Sequence, residues 1–253
     1  MEERPRLVHK SPHGVQYKGI PVNAVTGLHE ACMDILQGRL PSPAHVLDIA
    51  AGHGAFTRRL LDAGYRVQAN DLDSNGWAVP EVALWTLDLN KPVPPGYASR
   101  QFDAVVAIEV IEHLENPLKF LRDCCSFCRP GGIILLTTPN VVDIRSLGNF
   151  LLCGYLSNFS RRFYWESGHS TLLPFWLMEE HLRKVGITQF ERMGLNPVRL
   201  QGIRNILHVV QWMAQLVSDM PIPKELRSRH SLCYACVAPD RFHEDDAIWR
   251  PTS

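Results

Sequence analysis

Hydrophobic and polar positions alternate along the chain in blocks that switch between strand-like runs and helical stripes. HVLDIA (His45–Ala50) reads as a buried strand, and Gly54–Ala63 follows as a helix ended by Gly64. Tyr65–Asn70, Val82–Leu87 and Phe102–Ile108 are predicted as three further strands. Pro117–Cys128 is predicted as a helix whose exit is marked by Pro130, Gly131 and Gly132, with Ile133–Thr138 as the fifth strand. Strands separated by helical segments indicate parallel βαβ units with helices on both faces of one sheet. Before this core, residues 1–40 hold a short helix over Ala24–Gln37, closed by Gly38. After Asn140 the rhythm breaks. Phe175–Val185 returns to helix, Ile187–Met193 fits a sixth strand, Ile203–Val217 has a helical apolar pattern and Ser231–Val237 makes a last strand. No repeat or linker interrupts this order. The expectation is one domain over residues 1–253, with a core at 45–140 and insertions at 141–171 and 194–230.

Composition narrows the class. The 253 residues carry 26 basic and 26 acidic side chains, with 45% hydrophobic and 21% charged content. Such a balance is that of a folded globular chain, and without a basic excess no nucleic-acid partner is expected. No apolar run approaches the roughly 20 residues that span a bilayer, and MEERPRLVHK is followed by no apolar leader, so a cytoplasmic location is expected. Seven cysteines, an odd number, do not read as a disulfide framework. The spacing of Cys125/Cys128 and Cys233/Cys236 invites a zinc site. However, residues three apart on a strand such as LCYACVA point to opposite faces, so buried reduced thiols are expected instead.

The sharpest signal is VLDIAAGHG, in which a buried strand ends at Asp48 and passes through Ala50, Gly52 and Gly54 into a helix. In a parallel sheet this turn lies at the carboxyl ends of the strands, where ligands bind, and small residues let a ligand approach the backbone. The spacing departs from the GxGxxG turn that cradles a pyrophosphate, and Asp48 would repel one. S-adenosylmethionine carries an ammonium and a sulfonium that suit a nearby carboxylate. Asp71, at the end of the second strand, is placed to accept ribose hydroxyls. Asp88 follows the third strand and could accept from an adenine amino group, with Leu72 and Leu89 on the ring faces.

These residues carry a resemblance. VLDIAAGHG, together with FDAVVAIEVIEHLENPLKFLRDCCSFCRPGGIILLTTPN, resembles the class I S-adenosylmethionine-dependent methyltransferases, in the branch that includes ubiquinone-biosynthesis O-methyltransferases. Ala50 stands where that family usually has its first glycine. The resemblance implies a Rossmann-like α/β three-layer sandwich, its seven-stranded sheet mostly parallel with the last strand antiparallel. It also places Glu109 beside the donor. TPNVVDIRSLGNFLL followed later by GHST is similar to bacterial methyltransferases associated with glycan or lipid-linked sugar assembly, which implies a small-molecule or glycan-type acceptor.

Methyl transfer needs alignment and removal of an acceptor proton, and histidine suits the second task near neutral pH. His113 is the first candidate base and His169, in ESGHST, the second. Glu109, Glu112 and His113 also form an ExxEH cluster of the kind that small-RNA 3′-end methyltransferases complete with later histidines to hold a divalent cation. Glu109, Glu112, His113 and His169 are therefore the candidate metal ligands. Phe150, Tyr155, Phe159, Phe163, Tyr164 and Trp165 could line an acceptor pocket, with Arg161 and Arg162 reading an anionic group. An alternative, opened by alanine at position 50, is a methyltransferase fold that binds the donor without turnover and serves as a partner subunit.

Overall fold

A computed structural model describes residues 14–97, 101–197 and 222–242. A short antiparallel hairpin, β1 (Gln16–Tyr17) and β2 (Ile20–Pro21), leads into α1 (Leu28–Gln37). The βα core follows: β3 (His45–Ile49), α2 (Ala55–Asp62), β4 (Arg66–Asp71), β5 (Leu84–Thr86), β6 (Phe102–Ala107), α3 (Pro117–Phe127) and β7 (Cys128–Pro139). Then come α4 (Ile144–Cys153), α5 (Arg161–Ser167), α6 (Phe175–Lys184), β8 (Phe190–Pro197) and β9 (Arg229–Val237).

Seven strands form one sheet in the order β5-β4-β3-β6-β7-β9-β8, with only β9 running against its neighbours. This is the mostly parallel sheet with an antiparallel last strand that the resemblance implies. The chain winds outward from β3 to β5, then returns to β3's other side with β6. That reversal opens a crevice at the carboxyl ends of β3 and β6, the place where open α/β sheets bind ligands.

Side-chain alternation divides the core. Leu47, Ile49, Val105, Ala107, Ile134, Leu136, Tyr234 and Cys236 face α3 and α6, while Val46, Ala104, Val106, Leu135, Cys233 and Ala235 face α1 and α2. Each large side chain buried here, such as Phe120 or Leu28, contributes about 1.5–3 kcal/mol. Cys233 and Cys236 point into different cores, and Cys125 and Cys128 share a core with Cys236 alone, so the two CxxC pairs do not converge.

Several boundaries differ from the sequence expectation, each for a local reason. The first helix starts at Leu28 rather than Ala24, because Gly27 before it takes a left-handed φ of 85°. The sixth strand begins at Phe190 rather than Ile187, since the Ile187 N–H still closes the end of α6 on the Leu182 carbonyl. β7 starts at Cys128, five residues early, where the Gly131 N–H donates to the Ala238 carbonyl and holds the Pro130–Gly132 stretch in the sheet. The helix expected at Ile203–Val217 lies outside the described residues. The 141–171 insertion folds as α4 and α5, capped by Asp143 and Ser160.

Candidate active site

The turn after β3 is built from left-handed backbone. Ala50, Gly52 and Gly54 have φ of 56°, 57° and 92°. At Gly54 an added Cβ would lie 2.5 Å from Val79 Cγ2, so glycine is required there by space as well as by conformation. Ala50 meets the same backbone demand with a Cβ, at a cost of about 1–2 kcal/mol.

Asp71 holds this turn to β4. Its Oδ2 accepts from the Gly52 N–H at 2.7 Å and its Oδ1 from the Leu72 N–H at 2.7 Å. Beyond it, Leu72, Asp88 and Leu89 line one cavity of about 380 Å³ together with Thr86 and Val93. Leu72 is 63% exposed. Asp88 accepts from the Asn90 N–H and pairs with Lys91 at 3.2 Å. The structure thus brings together the three residues expected around an adenine ring.

Asp48 is placed otherwise. It does not open onto the turn: it is 2% exposed and accepts from the Thr57 hydroxyl at 2.6 Å. Burial raises its pKa to about 7; the Thr57 hydrogen bond works against the rise and the Asp71 charge adds to it.

On the adjoining strand, β6 ends in a second left-handed residue, Glu109, with φ 50°. Its N–H donates to Thr137 Oγ1 at 3.0 Å, while its buried Oε1 has no hydrogen-bond partner among the described residues. Desolvation raises this carboxyl to about 7, against the pull of Thr137. Three residues on, in the single helical turn Ile111–His113, Glu112 is wholly buried. Its Oε2 accepts from Thr138 Oγ1 at 3.0 Å, and its Oε1 has no hydrogen-bond partner among the described residues. Burial, then the Glu109 charge, pushes it well above the carboxylate range.

The Glu112 backbone does the assembling. Its carbonyl accepts from the N–H groups of Ser170 and Thr171 at 3.0 and 2.9 Å, which draws the loop carrying His169 onto the end of β6. The His113 and His169 rings then meet edge to face, 4.7 Å between centroids. His169 Nδ1 lies 2.9 Å from the Asn158 carbonyl, which places the proton on Nδ1 and the lone pair on Nε2. Burial lowers the pKa of this imidazole, so it stays neutral to lower pH than usual. His113 Nε2 is 3.9 Å from Glu112 Oε1. One donor atom from each of Glu112, His113 and His169 lies within 4.8 Å of the others. Glu109 is not part of that group.

Of the aromatics in the insertion, Phe159 and Phe163 pack against His169 at 5.5 and 5.9 Å. Phe150, Tyr155, Tyr164 and Trp165 stay exposed. Sequence reasoning missed Thr137 and Thr138, which orient the two glutamates, and Asn158, which sets the His169 tautomer. The TTPN at the end of β7 was the available signal for the threonines. Asn158 gave none, because its role depends on a loop contact.

Residues 26–193 match the methyltransferase domain family. The chain belongs to that family, and its seven-stranded sheet is that of the class I S-adenosylmethionine-dependent members. Among curated relatives, a ubiquinone biosynthesis O-methyltransferase of Xanthomonas campestris pv. campestris is 31% identical over 130 residues, 47% of this chain and 54% of that protein. Another, from Xylella fastidiosa, is 29% identical over 156 residues. The chain thus spans about half the length of the curated relatives it matches. An S-adenosylmethionine-dependent methyltransferase of known structure from Archaeoglobus fulgidus shares the fold, with a TM-score of 0.57 at 16% identity over 83% of this chain and 94% of that one. Phosphoethanolamine N-methyltransferase 2 of Haemonchus contortus, solved with S-adenosyl-L-methionine, also has a TM-score of 0.57, at 19% identity over 83% of this chain and 52% of that one. No helix among the described residues is long and apolar enough to cross a membrane.

Proposed function

We propose that the protein transfers the methyl group of S-adenosylmethionine to a hydroxyl oxygen of a small-molecule or sugar-like acceptor. The observation that carries this reading is the meeting of two features across the β3–β6 crevice. On one side is the glycine turn bound by Asp71, with the 380 Å³ cavity of Leu72, Asp88 and Leu89 beyond Asp71; on the other is the Glu112–His113–His169 cluster. The names of the ubiquinone biosynthesis O-methyltransferases support oxygen as the acceptor atom, and the donor-bound N-methyltransferase of the same fold supports the donor.

The donor supplies an electrophilic methyl on a sulfonium, which leaves as a neutral thioether. Asp71 already holds Gly52 and Leu72, and its remaining lone pairs face the ribose hydroxyls. Asp88 accepts from the adenine amino group between Leu72 and Leu89. The unpartnered Glu109 Oε1 takes the methionine ammonium, an exchange that satisfies a buried acceptor and favours its charged form. Ala50, Gly52 and Gly54 keep side chains out of the donor's path, and Asp48 fixes the start of α2.

On the acceptor side the hydroxyl proton passes to an imidazole as the oxygen–methyl bond forms. His113 is the leading base. His169, neutral and held by Asn158, is the second, and Phe159 and Phe163 shield it from water.

A divalent cation is a second reading of the same cluster, favoured by the buried Glu112 Oε1, which has no hydrogen-bond partner among the described residues and lies 3.9 Å from His113 Nε2, and by the nearness of His169. Glu112, His113 and His169 would hold it. Two nitrogens and one carboxylate suit zinc or manganese better than magnesium. The His169–Asn158 bond is the outer contact such a ligand requires. A bound cation would supply a lowered pKa at the acceptor hydroxyl.

Calorimetric titration with S-adenosylmethionine and S-adenosylhomocysteine is expected to show micromolar binding, and absence of binding by both overturns the enzyme reading. With labelled donor and a panel of catechols and hydroxylated sugars, His113→Ala is expected to lose ~10²–10⁴-fold in turnover at unchanged donor affinity. Near-normal turnover in that variant moves proton removal to His169. Repeating both measurements with added Mg²⁺, Mn²⁺ or Zn²⁺ separates imidazole from metal chemistry.

A further inference from the structure

Beside the histidine cluster, the insertion encloses a second cavity of about 460 Å³, within the size range of small-molecule sites. It is continuous with the cluster through two residues. Asn158 lines the cavity and holds His169 through its carbonyl; Phe163 lines it and stacks on the His169 ring. Three arginines border it. Arg162 is engaged, since its Nε donates to Glu166 at 2.8 Å. Arg145 and Arg161 have no carboxylate at ion-pair distance among the described residues.

The cavity's own acid, Asp143, feels the charge of Arg145 but forms no ion pair with it. Asp143 is 3% exposed, and both of its capping bonds, from the Arg145 and Ser146 N–H groups at 2.8 and 3.1 Å, are spent on the start of α4. The rest of the polar wall carries no further carboxylate: Asn149 donates to Ser157 at 3.0 Å, Tyr155 lies beside them, and His230 of β9 adds an imidazole. Two guanidinium forks with no carboxylate at ion-pair distance among the described residues, set around a concave polar space, match the geometry that recognises carboxylate or phosphate oxygens.

We propose that this cavity is a subsite for an oxyanion, phosphate or carboxylate, carried by the methyl acceptor. Arg145 and Arg161 hold the anion while the acceptor hydroxyl lies at His113 and His169. The inference rests on the methyl-transfer reading above and names the acceptor class within it: a hydroxylated molecule bearing an acidic group one cavity away from the methylated oxygen. Arg145 and Arg161 act as specificity residues in this arrangement. Arg162, bound to Glu166, contributes less.

The test uses the full chain saturated with S-adenosylhomocysteine, titrated at constant ionic strength with inorganic phosphate and, separately, with acetate. Both arginines are exposed, so the Arg145→Gln/Arg161→Gln double variant is expected to fold and to bind S-adenosylhomocysteine as the parent does. Phosphate or acetate is expected to bind the parent and to weaken at least about tenfold in the double variant, with a smaller change in Arg162→Gln. The stronger of the two anions identifies the acidic group. If phosphate is the stronger, glucose 1-phosphate against vesicles containing phosphatidic acid then distinguishes a soluble ester from a lipid headgroup. Equal anion binding by parent and double variant, or binding of neither anion by the parent, overturns the subsite. Loss of S-adenosylhomocysteine binding in the parent is a separate outcome that strikes the methyl-transfer reading instead.

Discussion

The turn after β3 places three left-handed residues in five positions, exposes none of them, and is held to the neighbouring strand through one carboxylate. The α4–α5 insertion across the crevice exposes Phe150, Leu151, Leu152, Tyr164 and Trp165, and holds two arginines with no carboxylate at ion-pair distance among the described residues. One side is shaped by backbone, the other by side chains on surface helices. Under the proposed methyl-transfer function, the difference follows from what each side meets. The donor is a fixed molecule, and a fixed molecule can be read by strand ends and glycines locked into a sheet. Acceptor recognition has to come from elements that can change without disturbing the sheet, as is usual for loops on a rigid scaffold.

That contrast can be broken by mutation. Gly54→Ala is expected to cost the most, about 2–4 kcal/mol, because a left-handed alanine is combined with a 2.5 Å approach to Val79. Denaturant midpoints would show it, and a cost below 1 kcal/mol would mean the turn is less rigid than its geometry implies.

Asp48 sharpens the comparison through pH. Its folded pKa, about 7, lies above the ordinary carboxylate value of 3.8, so the folded state keeps a proton that the unfolded chain releases. The stability this provides is full below pH 4 and is lost as pH rises to about 7, a slope of about 1.4 kcal/mol per pH unit per proton. Asp48→Asn is expected to flatten that slope and to stabilise the protein at pH 8 relative to the parent. Thermal midpoints measured from pH 4 to 8 would test this, and parallel profiles for the two proteins would remove Asp48 as the source.

Ala50→Gly is expected to gain about 0.5–1 kcal/mol, the relief of left-handed strain partly offset by a freer unfolded chain. On the opposite side, Trp165→Ala, at a 66% exposed position, is expected to change stability by no more than about 0.5 kcal/mol. A large loss there would show that the insertion is packed as tightly as the donor turn.

The donor half was legible because its determinants are contiguous. A strand, an acid and a run of small residues lie in one nine-residue stretch, and Asp71 and Asp88 recur at the ends of the next strands. Part of its geometry was still hidden: the direction of Asp48, which turns toward Thr57 instead of the crevice, depends on how α2 packs. The acceptor half was legible only as a list of candidates. His113 and His169 are 56 positions apart in the sequence, and nothing in either neighbourhood states that they touch.

The sequence by itself determined the order of strands and helices over residues 45–140, the two-sided burial and the small-residue turn after β3, since each follows from local periodicity and the conformational range of small residues. Tertiary structure decided which strand lies where. It set β9 between β7 and β8, drew the His169 loop onto the Glu112 carbonyl, and brought a buried carboxylate and two imidazoles within 4.8 Å of one another. These are long-range contacts, made by backbone groups that every residue carries, so no pattern of side chains along the chain records them.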